Sequence, residues 1–335
     1  MIEHNRGNKA ERTSTWPASV AVIGAAGLIG SGVVERLAVE AITDTVYMTD
    51  LRDNVLHAHA IDITEAQILA GNTRTRLVVG PPADGTSVDL VIVAASAPET
   101  PDGDRRDFLT ANLKLMQLLL PNIERLAGER GIVMLLSNPV DVLADALRQL
   151  SGISPDRIIG YSLNDSIRFR AAVGRELGVA PERVDGLVLG EHGDGQVPLF
   201  SALTQDGKPL NLDSDQRARI TTDITGWFSR WSALKPGRSS GWTTPLGVAQ
   251  IVKAMAAGHI HPATIWTGSV SSLPDSFISL PTRFEDDRVV SALEAVSQTE
   301  NEGLTQAAKS VETAAAQAVH NLRSANLGSA APTDG

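Results

Sequence analysis

The 335-residue chain contains no cysteine. That absence excludes disulfides, a thiolate nucleophile and Cys-ligated zinc together, and it fits a reducing compartment such as the cytoplasm. Long hydrophobic runs are missing too, since no stretch approaches the roughly 20 apolar residues of a membrane span. The first sixteen residues, MIEHNRGNKAERTSTW, lack the apolar centre of a secretory signal and read as a polar tail. There is no surplus of positive charge. A formal net charge of −10 argues against a nucleic-acid partner, which needs a basic face. Tyrosine is scarce, with only Tyr47 and Tyr161 present. What remains is an ordinary globular balance, 42% hydrophobic and 20% charged, on a chain long enough for two domains.

The periodicities fall into two halves. Short apolar runs at 19–24, 45–50, 76–80, 88–96, 131–139 and 156–160 predict buried strands. Helical spacing over 28–42, 57–69, 108–127 and 140–150 separates most of them. Alternation of this length predicts an α/β fold, a doubly wound parallel sheet of the Rossmann type covered on both faces. Beyond Gly160 the rhythm changes to an α+β pattern. Helices are expected at 165–177, 213–231, 245–257 and 312–322, and strands at 183–190, 196–204, 263–270 and 276–280. The expected organisation is a tail over 1–17, a nucleotide-binding domain over 18–160, a second domain over 161–324, and a disordered tail over 325–335.

The first strand runs into GAAGLIG, which places Gly24, Gly27 and Gly30 ahead of a helix. The first glycine permits the tight turn, the second lets backbone approach a pyrophosphate, and the third lets helix and strand pack closely. The helix N-terminus then offers free N–H groups to the phosphates. Asp50 ends the second strand, where its carboxylate can accept from both hydroxyls of an adenine ribose and repel a 2′-phosphate. NAD is therefore expected rather than NADP. Enzymes that join this opening to a catalytic tyrosine need a lysine four residues after it. Tyr47 and Tyr161 are followed there by Leu51 and Asp165, which excludes that class.

GEHGDG at 190–195 ends a strand with His192 between glycine and acid, a setting in which a ligand can approach closely. Asp165 opens a helix with Arg168 three residues on, so the two share a face. An aspartate bonded to an imidazole fixes its tautomer and stabilises its charged form.

Taken in order, GAAGLIG, Asp50, RRDFLTAN, SNPVDVL, DSIRFR and LGEHGD resemble the lactate/malate dehydrogenase family over residues 19 to about 320. The resemblance implies an NAD-dependent oxidoreductase that interconverts a 2-hydroxy acid and a 2-keto acid, built as a homodimer or homotetramer. It implies His192 as proton donor and acceptor, Asp165 as its partner, and Arg105 as the cation that polarises the reacting carbonyl. Arg168 would hold the substrate carboxylate through a two-pronged pair that a lysine could not reproduce. Asn138 would touch substrate and nicotinamide ribose, and Ser240 would line the side-chain pocket. Leu28, Ile29, Ala95, Asn112 and Leu136 would complete the cofactor site with the three glycines and Asp50. The stretch PETPDGDRRDF at 98–108 resembles the lid that closes over substrate and expels water.

Two positions depart from the family pattern. Glu99 stands in the lid where malate-type enzymes carry arginine and lactate-type enzymes glutamine. Turned inward, a carboxylate about 4 Å from the second carboxylate of oxaloacetate costs on the order of 4 kcal/mol at an effective dielectric near 20. Malate is then a poor substrate, and a cationic or hydrogen-bond-donating side chain is favoured. Turned outward, or paired with Arg105 or Arg106, Glu99 leaves room for an aliphatic keto acid. Ser96 replaces a glycine near the pyrophosphate, which bears on cofactor affinity. A second reading stays open, a non-catalytic NAD-binding sensor on the same fold; an NAD-dependent glycosidase, whose metal is held partly by cysteine, is disfavoured by the lack of one. No metal set is expected. His57 and His59 point to different helix faces, and His259 and His261 read as a solvated loop. Trp227, Trp231 and Trp242 read as core and surface of the second domain.

Overall fold

The computed structural model describes residues 16–98, 105–236 and 240–329, with Arg105, Arg106 and 326–329 described in their backbone only. The first half comprises β1 (Ser19–Ile23), α1 (Leu28–Val39), β2 (Thr45–Thr49), α2 (Asp53–Leu69), β3 (Arg76–Val79), β4 (Leu90–Val93), α3 (Arg105–Ala127), β5 (Ile132–Leu135), α4 (Val140–Leu150) and β6 (Ile158–Gly160). The second comprises α5 (Leu163–Leu177), β7 (Val184–Asp185), β8 (Val188–Gly190), β9 (Gln196–Pro198), β10 (Thr204–Gln205), β11 (Lys208–Pro209), α6 (Ser214–Thr225), α7 (Trp227–Ala233), α8 (Thr243–Ala257), β12 (His261–Trp266), β13 (Phe277–Glu285), β14 (Arg288–Ser291) and α9 (Gln298–Ser329).

β1 and β4 carry almost unbroken apolar runs because both faces of the sheet are covered. They lie at the centre of a parallel array in the order β3-β2-β1-β4-β5-β6, the doubly wound topology read from the sequence. The sheet does not stop at the expected domain boundary. β12 pairs antiparallel with β6 through Thr264 and Gly160, and β13, β8 and β9 extend it further. A separate three-stranded sheet, β11-β10-β7, lies against α5 through β7, and α6 packs on α5. One apolar cluster runs from α1 and the sheet into α8, β13 and α9, and a second packs α3 and α4 on the opposite face. α4 is buried along Val140–Leu147 because α9 covers the side turned away from the sheet.

Several boundaries differ from expectation. α2 begins at Asp53 rather than 57, and α3 at Arg105 rather than 108. The helix expected over 213–231 breaks at Gly226, which ends α6 and starts α7. β13 runs on to Glu285 and turns into β14 through Asp286 and Asp287, both left-handed at φ 49° and 62°. A two-residue hairpin loop requires that conformation, but Asp-Asp lacks the glycine that usually announces it. α9 begins at Gln298 and continues to Ser329, so residues 325–329 belong to a helix and not to the disordered tail expected from 325. Trp16, placed in the N-terminal tail, stacks on Phe284 with ring centroids 4.2 Å apart. Its indole packs on the outer end of β13, so Trp16 belongs to the folded body.

Candidate active site

The parallel topology brings the C-terminal ends of β1, β2, β4 and β5 to one edge, where open α/β sheets place their ligand crevice. At the end of β1 the chain turns sharply at Gly24, φ +88°. A methyl group there would meet the backbone nitrogen of Ala95 at 2.5 Å, and one on Gly30 would meet the Gly24 carbonyl at 2.1 Å. These two glycines are a packing necessity, because the turn after β1 lies at backbone contact with the segment after β4 on one side and with the first turn of α1 on the other. α1 starts at Leu28, and its N-cap, Gly27, supplies no capping side chain. The first-turn N–H groups of Leu28, Ile29 and Gly30 therefore have no side-chain acceptor at the cap, the condition for receiving a phosphate.

Asp50 closes the other side of this cradle. Its carboxylate accepts from the Ala26 N–H at 3.2 Å and the Arg52 N–H at 3.1 Å. Burial works against its charge, but the hydrogen bonds from Arg52 and Ala26 prevail and hold its pKa below the ordinary aspartate value. The group is thus ionised and fixed at the end of β2, as a ribose acceptor needs to be. Ala95 and Leu136 follow β4 and β5 at the same edge. These residues fit a dinucleotide: a glycine turn with no room for side chains, an uncapped helix N-terminus and an oriented carboxylate.

Asn112 behaves differently from the expected cofactor contact. It is 3% exposed, its Oδ1 accepts from the Ala97 N–H at 2.8 Å and from the Ser96 hydroxyl at 3.2 Å, and its Nδ2 donates to the Asn138 carbonyl at 3.1 Å. Its amide is thus directed to protein groups, tying the loop after β4 to the turn after β5. Ser96, the departure from glycine, is absorbed into this bridge. Asn138 itself is exposed at the end of β5.

His192 and Asp165 come together. The carboxylate Oδ2 of Asp165 lies 2.5 Å from His192 Nδ1, while Oδ1 accepts from Arg168 Nη1 at 3.0 Å. Asp165 is buried at the first turn of α5, and the His192 side chain keeps 21% of its surface exposed. With Nδ1 committed to the carboxylate, Nε2 is the nitrogen left for chemistry. Burial opposes the charged ring, but the Asp165 charge and hydrogen bond, together with Asp141, outweigh it and the repulsion from Arg168, raising the His192 pKa above its ordinary value. Arg168 is pushed down, first by burial, though Asp165 counters this.

Two residues with no assigned role join this group. Asp141, on the first turn of α4, accepts the His192 backbone N–H at 2.6 Å and the Thr264 hydroxyl at 2.6 Å. It is fully buried, and burial raises its pKa to about 6 against the hydrogen bonds that favour the carboxylate. Its signal in the sequence was an acid inside SNPVDVL, two residues after a proline turn. Trp227, expected at the core and surface of the second domain, is half-buried there, and its ring lies over the Arg168 guanidinium, 3.7 Å from centroid to Cζ.

Residues 18–160 match the lactate/malate dehydrogenase NAD binding domain, and residues 163–322 match the lactate/malate dehydrogenase alpha/beta C-terminal domain. The chain belongs to the lactate/malate dehydrogenase family. It is an NAD-dependent oxidoreductase that interconverts 2-hydroxy and 2-keto acids. A malate dehydrogenase of Haloarcula marismortui is 28% identical over 280 residues, 82% of this chain and 90% of that one. An L-lactate dehydrogenase of Halalkalibacterium halodurans is 27% identical over 293 residues, 86% and 92% of the two chains. The fold matches the solved apo structure of the malate dehydrogenase from Picrophilus torridus at a TM-score of 0.80 and 25% identity, over 92% of this chain and 99% of that one.

The remaining expected dehydrogenase residues are less fully described. Arg105 begins α3, described in its backbone only, and Glu99 lies outside the described residues. Ser240 is half-buried on the segment leading into α8; its neighbour Gly241 packs so closely on Leu28 that an added methyl would meet that side chain at 2.6 Å. His261, expected in a solvated loop, is buried at the start of β12 with Nδ1 3.0 Å from the His259 carbonyl. His57 and His59 lie along α2, and His57 Nε2 is 3.5 Å from Asp53.

Proposed function

We propose that His192, held by Asp165, exchanges the proton with the carbonyl or hydroxyl oxygen of the substrate, and that Arg168 binds its carboxylate. The observation that carries this reading is the shared carboxylate of Asp165, which contacts the imidazole with one oxygen and the guanidinium with the other. Bound NAD supplies the hydride for reduction or accepts it in oxidation. In reduction His192 enters as imidazolium and gives its Nε2 proton to the developing alkoxide, with Asp165 stabilising the charged ring beforehand. Arg105 adds a cation to that oxygen when the lid closes. Asn138 spans substrate and nicotinamide ribose, Ser240 borders the side-chain pocket, and Gly24, Gly27, Leu28, Ile29, Gly30, Asp50, Ala95 and Leu136 line the cofactor. Asn112 supports that crevice from beneath.

Glu99 sets the substrate preference in this proposal. As an ionised lid residue it disfavours oxaloacetate by on the order of 4 kcal/mol, nearly three decades in specificity. A rate panel with pyruvate, oxaloacetate, longer aliphatic and amine-bearing keto acids tests it. Oxaloacetate is expected last, and its emergence as the best substrate overturns the role of Glu99. NADH binding without turnover of any keto acid would favour a sensor over an enzyme.

The assembly belongs to the same proposal. Ile61 and Ile68, seven residues apart on α2, are 66% and 64% exposed, and Leu69 beside them is 91% exposed. An apolar strip on a surface helix supports a homo-oligomer. The lack of cysteine supports a cytoplasmic setting. Among the described residues no helix is long and apolar enough to cross a membrane.

A further inference from the structure

We propose that Trp227 is a positioning residue for the substrate carboxylate, acting through the face of the Arg168 guanidinium. The inference rests on Arg168 being the carboxylate clamp.

A guanidinium binds a carboxylate edge-on, with two parallel N–H donors in its own plane. Productive binding therefore depends on where that plane points. Two contacts define it here. The Asp165 carboxylate takes an in-plane donor, Nη1, at 3.0 Å. The Trp227 ring lies over Cζ at 3.7 Å and restrains tilt out of the plane. Among the described residues neither Nε nor Nη2 meets a protein acceptor, so both can serve as in-plane donors for an incoming carboxylate.

The choice of an aromatic partner has an electrostatic reason. Arg168 keeps only 19% of its side-chain surface in solvent, and its nearest carboxylate is shared with His192. A second acid on the open face would relieve that buried charge, but it would also compete with the substrate for it. The negative face of an indole stabilises the cation without consuming an N–H donor. Water is displaced from that side as well, which strengthens the ion pair with the substrate.

The local fold explains how the ring reaches Arg168. α6 ends and α7 begins at Gly226, where a methyl group would meet Arg230 Nη1 at 2.8 Å and the Thr222 carbonyl at 3.0 Å. The break redirects the chain so that Trp227, the first residue of α7, faces α5. Trp231, one turn later, lies nearly parallel to Trp227, with planes 10° and ring centroids 6.2 Å apart. Arg230 ties α7 back to Asp223 on α6. No residue of α7 is fully buried, so this short helix is held largely by the aromatic and ionic contacts just named.

The test compares Trp227→Leu, Trp227→Phe and Arg168→Lys, with oxamate binding to the NADH-loaded enzyme as the readout, alongside KM and kcat for the best keto acid of the panel. Trp227→Leu keeps apolar bulk but removes the π face. It is expected to weaken oxamate and raise KM about tenfold, equivalent to about 1.4 kcal/mol. NADH affinity should hold, and kcat should change by less than about threefold, within the weaker range of such contacts. Trp227→Phe retains a ring and should restore most of the oxamate affinity. Arg168→Lys should weaken oxamate more than either. If Arg168→Lys weakens oxamate and both Trp227 variants leave it unchanged, the inference fails while the clamp stands. If Trp227→Phe is as poor as Trp227→Leu, the π-face argument is overturned. If Arg168→Lys binds oxamate normally, the clamp reading fails, and the inference with it. Thermal melts of each variant establish folding, and the phenylalanine variant carries the comparison should the leucine variant misfold.

Discussion

Asp141 holds the backbone of His192 by its N–H, at 2.6 Å, from a helix 51 residues earlier in the chain. Asp165 meanwhile holds the ring of the same histidine. One carboxylate thus sets where the peptide lies and the other how the imidazole is turned and charged. Thr264 on β12 anchors Asp141 in turn, so α4, β12 and the loop after β8 converge on a single buried acid.

Removing the charge of Asp141 is therefore expected to act on the proton step. In Asp141→Asn the amide can present N–H to the His192 N–H, losing a charge-assisted bond worth about 1.5–3 kcal/mol. His192 also loses one of the charges that raise its pKa, leaving Asp165 in favour of the cation, Arg168 against it, and Glu191 beside it in the same loop. In the proposed mechanism reduction requires the His192 imidazolium, so its rate falls as pH rises through the His192 pKa, and that fall should move to lower pH in the variant. A pH profile of kcat/KM for keto-acid reduction checks this. An unmoved profile would leave Asp141 with a purely structural role.

His192→Asn should bind NAD normally and lose roughly 10²–10⁴ in turnover, the usual contribution of a positioned acid–base group. Cofactor titration and steady-state rates on the same preparation separate the two effects. Turnover within a few-fold of the parent chain would remove His192 from the mechanism.

Asp50→Asn removes the ionised acceptor at the end of β2. With Asp50 in its proposed role as the ribose acceptor, losing that charge-assisted pair predicts a 10–100-fold weaker NAD complex. The penalty against a 2′-phosphate falls in the same variant, so the NAD-to-NADP affinity ratio should drop further than NAD affinity alone. Calorimetric titration with both nucleotides measures it.

His261 predicts acid sensitivity. Among the described residues its buried Nε2 has no hydrogen-bond partner, and burial, opposed by the His259 carbonyl, lowers its pKa. Below the unfolded value of about 6.5 the unfolded chain takes up a proton that the folded chain refuses. Stability therefore falls on acidification from there down to the folded pKa, by at most about 1.4 kcal/mol per pH unit. His261→Leu should flatten the dependence of Tm on pH between 7 and 5. An equal slope in both proteins would clear His261 of the effect.

The residues of GAAGLIG and Asp50 were legible in the sequence because their signals are local: a turn that excludes side chains, a helix start and an acid at a strand end. The parallel half of the sheet was legible for the same reason, since buried strands and amphipathic helices carry their own periodicities. The antiparallel continuation through β12 and β13 was not, because the order in which strands pair leaves no periodic mark. The Asp286–Asp287 turn and the break at Gly226 were missed because their local composition permits other conformations.

The sequence by itself determined the family, the glycine turn that leads into α1, and the identities of His192, Asp165 and Arg168 as candidates. Tertiary structure alone decided that one carboxylate serves both cations, that Asn112 turns inward, and that Asp141 and Trp227 belong beside them. The physical reason is range. Turns, caps and periodicities act over a few residues, whereas the bond from Thr264 to Asp141 spans 123 positions and exists only because β12 continues the sheet beyond β6.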